Sequence, residues 1–187
     1  APKKIKKIGI IGTGVQARLQ LRYLKEVIDC NNSLIWGRNS DALDKYENDM
    51  EDSGFTITKT LDIDEVINSC QLIVTCTPSE IALLNSVNEG THVTAMGSDT
   101  VHKRELESNI LLNADLVITD SRSQSVDRGE IHHALKDGLD MNSVIELGEV
   151  ISKQTNGRTT DEQITVADLT GVAVQDIQIA KAVLKHL

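Results

Sequence analysis

Apolar and polar residues change period repeatedly along the chain, and each change marks an element. Ile8-Gly9-Ile10-Ile11 is a short apolar run, whereas Ala17, Leu21, Leu24 and Ile28 recur at helical spacing on one face. The alternation continues. Ser33–Trp36 predicts a second strand, and Ser40 or Asp41 can cap a helix running to about Met50. Thr56–Thr58 predicts a weak edge strand, and Asp62 opens a helix with acids in its first turn. Leu72–Cys76, His92–Met96, Leu116–Thr119 and Ile164–Ala167 predict further strands. Between them, a helix is expected to carry Lys103, Glu105 and Leu106, another follows Arg128-Gly129-Glu130 and runs through Leu135, and Ile145–Ile151 has helical spacing. Thr155–Arg158 is a loop. A last helix sets Ala173, Ile177, Ala180, Leu184 and Leu187 on one stripe, with Ile179, Ala182 and Val183 beside it. Strands alternating with helices in this way predict an α/β fold, doubly wound, with a mainly parallel sheet and helices on both faces.

Between the first strand and the first helix stands Gly12-Thr13-Gly14-Val15-Gln16-Ala17, a G-x-G-x-x-A turn. In that context it reads as a dinucleotide fingerprint of the Rossmann type. Gly12 permits the tight turn, Gly14 lets backbone approach a pyrophosphate, and Ala17 keeps the helix close to the strand. The plain alternative is a strand-turn-helix corner. Arg38 follows the second strand, where an arginine accommodates a 2′-phosphate and an acid would bind ribose hydroxyls. With Asn39 and Ser40 as further donors it favours NADP(H) over NAD(H), although Arg38 can also stack on an adenine face. Thr77 and Pro78 close a strand at its carboxyl end and are placed to line the cleft. Asp99 follows another strand end, and by position it is either a helix cap or a catalytic acid. Cys76 is a small buried hydrophobe or a nucleophile, and no base accompanies it. Adjacent His132 and His133 cannot share a helix face, so no metal site is expected.

Composition narrows the classes. The 187 residues are 40% hydrophobic but only 2% aromatic, so the core must be aliphatic. A formal net charge of −9 argues against a nucleic-acid surface. Lys3, Lys4, Lys6 and Lys7 are a solvated strand edge or a short binding tail. Three cysteines, Cys30, Cys70 and Cys76, lack metal-type spacing and suit a reducing compartment. No apolar run approaches the roughly 20 residues of a membrane span, so a cytoplasmic protein without a membrane partner is expected. The start at Ala1-Pro2 and a helical pattern still running at Leu187 suggest a piece of a longer protein.

These motifs resemble the ornithine cyclodeaminase/μ-crystallin family. The likeness rests on the fingerprint turn, Trp36-Gly37-Arg38, Thr75-Cys76-Thr77-Pro78, and Gly97-Ser98-Asp99 with Lys103 and Glu105-Leu106. It continues through Asp120-Ser121, Gly129-Glu130, Glu146–Val150 and Asp168-Leu169-Thr170-Gly171-Val172-Ala173-Val174-Gln175-Asp176. The resemblance implies that residues 1–187 are one NAD(P)-binding domain. It also implies that the helix over 172–187 packs against an absent substrate and dimerisation domain, and that the complete protein is a homodimer. By resemblance, Gly12, Gly14, Val15 and Gln16 hold the pyrophosphate and Arg38 the adenosine ribose. Thr77, Met96, Gly97, Ser98, Lys103 and Leu169 meet the cofactor. Asp99 and Thr170 meet the substrate, and Asp99 is the acid–base group. The implied reaction takes hydride from the Cα of an amino acid, as an ornithine cyclodeaminase that closes a cyclic imino acid. The alternatives are an NADP-dependent ketimine reductase or amino-acid dehydrogenase, and a non-catalytic crystallin-like binder.

Overall fold

The computed structural model describes residues 1–185. Eight strands build the sheet: Ile8–Ile11 (β1), Asn32–Trp36 (β2), Thr56–Thr60 (β3), Leu72–Thr75 (β4), His92–Ala95 (β5), Leu116–Thr119 (β6), Ile145–Glu146 (β7) and Thr165–Asp168 (β8). They lie in the order β3-β2-β1-β4-β5-β8-β6-β7, and every pairing is parallel. The helices are Val15–Leu24 (α1), Ser40–Asp49 (α2), Ile63–Ser69 (α3), Ser108–Leu112 (α4), Arg122–Ser125 (α5), Gly129–Lys136 (α6), Leu147–Ile151 (α7) and Ala173–Leu184 (α8). This is the Rossmann-type α/β arrangement. None of the described helices is long and apolar enough to cross a membrane.

Strand residues alternate between two aliphatic layers, because successive side chains point to opposite faces. Ile8, Ile10, Ile35, Leu72 and Val74 share one layer with Ala17 and Leu21 of α1 and Leu43 and Tyr46 of α2. Ile11, Leu34, Ile73, Val93 and Val166 share the other with Val66 of α3, Ile110 of α4 and Ile131 of α6. A fully buried aliphatic side chain such as Ile10 contributes on the order of 1.5–3 kcal/mol. Few aromatics are therefore needed. Tyr46 is an exception: wholly buried, it donates its hydroxyl to the Ala17 carbonyl at 3.1 Å and ties α2 to α1.

Several expectations are corrected. The first helix ends at Leu24, and Ile28 reaches the core from the following turn. Asn39, rather than Ser40 or Asp41, caps α2, because its extended backbone lets its Oδ1 accept from Ala42 N at 2.8 Å. No helix carries Lys103, Glu105 and Leu106; this stretch is a turn followed by extended chain bridging Leu84 to Leu106. Ile145–Ile151 begins as β7 and turns helical only at Leu147. In α8, Val174, Ile177, Ile179, Val183 and Leu184 are exposed. Leu187, the end of the expected stripe, lies outside the described residues.

Candidate functional site

The carboxyl ends of β1, β2, β4, β5 and β8 converge along one edge, and the glycine turn sits at the centre. Gly12 has φ +123°, and a Cβ there would lie 2.7 Å from the Cys76 carbonyl oxygen. Neither constraint applies to Gly14. Its φ is −80°, and an added Cβ would meet nothing within 4 Å. The protein itself therefore gives no reason for glycine at 14; open space at a helix N-terminus does, since phosphate oxygens can approach bare backbone there. The Arg18 guanidinium donates to the carbonyls of Thr13 and Gly14, is paired with Asp49 at 2.9 Å and lies 5.0 Å from the Tyr46 ring centre. The turn's carbonyls are thus drawn inward. Gly12 N donates to the Trp36 carbonyl at 3.0 Å, so the unpaired N–H groups are those of the first turn of α1.

Two adjoining cavities continue from the turn. One of about 130 Å³ is lined by Gly12, Gly14, Arg38 and Thr77. The next, of about 270 Å³, lies between Trp36, Arg38, Pro78, Ile81 and Leu83. A larger open groove of about 550 Å³ lies between Thr58, Lys59, Asp62 and Asn68. It holds none of the predicted residues, whereas the smaller pair adjoins the glycine turn and is the candidate site. The apolar slot beside Arg38 has the size and lining for a purine, and the first cavity meets the turn as a pyrophosphate must.

Beyond Thr77 the edge continues through Met96–Asp99. Met96 N donates to the Thr75 carbonyl at 3.0 Å, and Leu169 N to that of Ala95 at 2.9 Å, so Thr77, Met96, Gly97 and Leu169 stand side by side. Asp99 caps no helix, because none follows it; Lys103 Nζ holds its Oδ1 at 2.6 Å at the open rim. The Ser98 side chain is buried, and its hydroxyl donates to the Lys103 carbonyl at 2.5 Å, closing that turn. Thr170 is also buried: Gln124 Nε2 donates to its hydroxyl at 2.6 Å. Gly171 N donates to Asp120 Oδ2 at 2.7 Å, which fixes the loop after β8. Val15 and Gln16 are exposed at the start of α1, and Asn39 and Ser40 are exposed beside Arg38. The two histidines diverge: His132 Nδ1 bonds the Val126 carbonyl, and His133 Nε2 that of Lys103. Burial pushes the Cys76 thiol up to about 12, with Glu105 adding to the effect, so Cys76 is a packed thiol rather than a thiolate.

Three buried carboxylates lie under this edge; in the sequence they stand only within motifs, with no role assigned to them. Glu105 accepts from Thr77 N at 2.6 Å, Thr75 Oγ1 at 2.6 Å and Gly97 N at 2.8 Å. Glu130 accepts from Glu105 N at 2.8 Å and Leu106 N at 3.0 Å. Asp168 accepts from Ile131 N at 2.9 Å, and Gly129 (φ +88°) leaves room for it: a Cβ there would lie 2.5 Å from Asp168 Oδ2. Burial raises all three, Glu130 to about 8 with the Asp168 charge adding, and Asp168 to about 7; Glu105 is raised despite its three donors. The available signal was Glu105 placed directly before a core leucine, and Asp168 at the end of a fully buried strand.

Comparison with known proteins agrees with the fold. The model of the ornithine cyclodeaminase/mu-crystallin family matches residues 1–187. An uncharacterised cyclodeaminase, y4tK, of Sinorhizobium fredii is 40% identical over 176 residues, which are 91% of this chain and 53% of that protein. The iminosuccinate reductase of Paracoccus denitrificans, solved in complex with NAD+, superposes with a TM-score of 0.92 at 33% identity, covering 99% of this chain and 57% of that one. An archaeal alanine dehydrogenase dimer with bound NAD superposes at 0.89 and 34% identity, covering 100% and 60%. The chain thus spans little more than half the length of these proteins. With the fingerprint turn, the strand-end edge and a whole-chain match in agreement, the chain belongs to the ornithine cyclodeaminase/mu-crystallin family.

Proposed function

We propose that this chain is the dinucleotide-binding domain of an enzyme that moves a hydride between a nicotinamide and the Cα of an amino or imino acid. The observation that carries this is the open space at Gly14, at the N-terminus of α1 and beside the Arg38 cavity. The nicotinamide dinucleotide, when bound, supplies the hydride acceptor or donor. This chain's residues do the rest. Gly12 makes the turn, and Gly14, Val15 and Gln16 at the start of α1 offer their N–H groups to the pyrophosphate. Arg38 takes the adenosine end and favours a 2′-phosphate, with Asn39 and Ser40 beside it. Thr77, Met96, Gly97 and Leu169 form the nicotinamide end; Ser98 and Lys103 hold that loop in shape. Asp99, anchored on one oxygen by Lys103, moves the proton of the substrate amine as general base and returns it as acid. Thr170 shapes the substrate side through its loop.

Net oxidation or reduction is the first reading, supported by the reductase and the dehydrogenase among the similar structures. Cyclodeamination, with ornithine or a related diamino acid, is the second, supported by the relative y4tK and by an acid at position 99. The exposed apolar residues of α8 are covered by a substrate domain outside this chain, and the complete protein is a homodimer. The deciding experiment supplies the complete protein with dinucleotide and either an α-imino acid or ornithine. Stoichiometric consumption of reduced nicotinamide supports the first reading. Ammonia release from ornithine with only catalytic dinucleotide supports the second. Tight dinucleotide binding without turnover of any amino or imino acid would overturn both in favour of a non-catalytic binder.

A further inference from the structure

Glu105 is wholly buried and cannot touch a cofactor or substrate, yet its carboxylate is joined to both lips of the cleft. Oε1 accepts from the Thr77 backbone after β4; Oε2 accepts from Thr75 within β4 and from the Gly97 backbone after β5. The lips touch at this point. A Cβ on Gly97 would lie 2.3 Å from the Thr77 carbonyl oxygen and 2.5 Å from the Glu105 carboxyl carbon. Glu105 is itself held from behind, since Glu130 accepts from the backbone N–H of Glu105 and of Leu106. We infer that Glu105 is a positioning residue that sets the spacing of Thr77 and Gly97, and so the seat of the nicotinamide ring, without contacting it. The inference rests on the dinucleotide reading above.

Glu105→Gln keeps the shape but presents an amide NH₂ to one of the two sets of donors, so one lip is released. The fingerprint turn and Arg38 keep their own hydrogen bonds and border only the Thr77 lip, whereas Gly97 lies beyond their cavities. The test is calorimetric titration of the complete protein with its preferred nicotinamide dinucleotide and with the matching ADP-ribose fragment, which lacks the nicotinamide. Loss of a charge-assisted hydrogen bond corresponds to about tenfold or more in affinity. Glu105→Gln should lose about that factor for the whole dinucleotide and lower the turnover number, with a clearly smaller loss for ADP-ribose, which meets the Thr77 lip but not Gly97. A general structural role would weaken both ligands alike, and that result overturns the inference. Should Glu105→Gln fail to fold, Thr75→Val removes one donor only and should show the same selectivity in smaller degree. Thr75→Ser, which keeps the hydroxyl, should bind as wild type does. Equal losses in Thr75→Val, or none, also overturn the inference. Wild-type protein that binds neither ligand overturns the dinucleotide reading itself, whereas wild-type binding with unselective variants overturns only the role of Glu105.

Discussion

Gly12 and Gly14 stand two residues apart in one motif, yet alanine should affect them in opposite ways. At Gly14 the free protein is indifferent. Its φ of −80° and ψ of −174° suit any residue, and the added Cβ meets nothing. Replacing glycine at compatible angles stabilises by about 0.4–1 kcal/mol through the unfolded chain. Alanine at an N-cap costs a similar amount, about 0.5–1 kcal/mol. The two offset, so Gly14→Ala should melt within about 3 °C of wild type, at about 2–4 °C per kcal/mol for this size. At Gly12 both terms are adverse. The backbone lies at φ +123°, and the Cβ would sit 2.7 Å from the Cys76 carbonyl oxygen. Left-handed strain alone is about 1–3 kcal/mol, so Gly12→Ala should melt lower by roughly 4–10 °C. Dinucleotide binding discriminates further. The Cβ at 14 enters the space assigned to the pyrophosphate and displaces it from the helix N-terminus. Losing one or two charge-assisted hydrogen bonds is about 1.5–3 kcal/mol, or roughly ten- to a hundredfold in affinity. Thermal melts and calorimetric titration on the same preparations settle the matter. Gly14→Ala protein with wild-type affinity would refute the assignment of that space, whatever its stability.

Other residues give sharp outcomes too. Asp99→Asn in the complete protein should lower turnover by about 10²–10⁴-fold with dinucleotide affinity and melting temperature near wild type; retained turnover would remove Asp99 from the mechanism. Arg38→Ala should weaken NADPH binding roughly ten- to a hundredfold and leave NADH little changed; equal losses would mean that Arg38 stacks on the adenine. Folded-state pKa values above ordinary ones bind protons more tightly, so their stabilisation is present at low pH and lost as pH rises. Asp168 moves from 3.8 to about 7 and Glu130 from 4.5 to about 8. These two carboxyls pull the melting temperature down as pH rises from about 4 to about 8. Buried His92, lowered to about 3, and the Ala1 amino group, lowered to about 6, pull the opposite way. Relative to wild type, Glu130→Gln should therefore lose less stability between about pH 5 and about pH 8, and parallel profiles of the two proteins would contradict the shift of Glu130.

Local pattern revealed the fold class and is what singles out the candidate cofactor edge, because both depend on short-range signals. The glycine turn, the strand ends at Thr77 and Met96, and the two-faced burial of β1 and β4 are all written in neighbouring residues. What sequence did not disclose is non-local. Nothing near Thr165–Asp168 says that β8 inserts between β5 and β6, since chain order does not carry sheet order. β7 has two paired residues, too few for a period, and the helical spacing of α7 overran it. The stretch from Asp99 to Leu106 looked helical, but its backbone N–H groups at 105 and 106 bond to the carboxylate of Glu130, far along the chain. The sequence marks Asn39 only as a further donor beside Arg38; that its side-chain oxygen also caps α2 depends on backbone geometry the sequence does not display. Glu105, Glu130 and Asp168 looked like ordinary acids, and only burial against backbone donors distinguishes them.

The central claim is hydride transfer between the substrate Cα and the nicotinamide, and an isotope label tests it directly. The complete protein is given dinucleotide with an amino acid deuterated at Cα, and the products are analysed by mass spectrometry in ordinary water. The account predicts that deuterium appears on the nicotinamide ring in a net oxidation, or is returned to the carbon of the cyclic product in a cyclodeamination. Deuterium washed out into water would mean that Cα loses a proton rather than a hydride, and would contradict it.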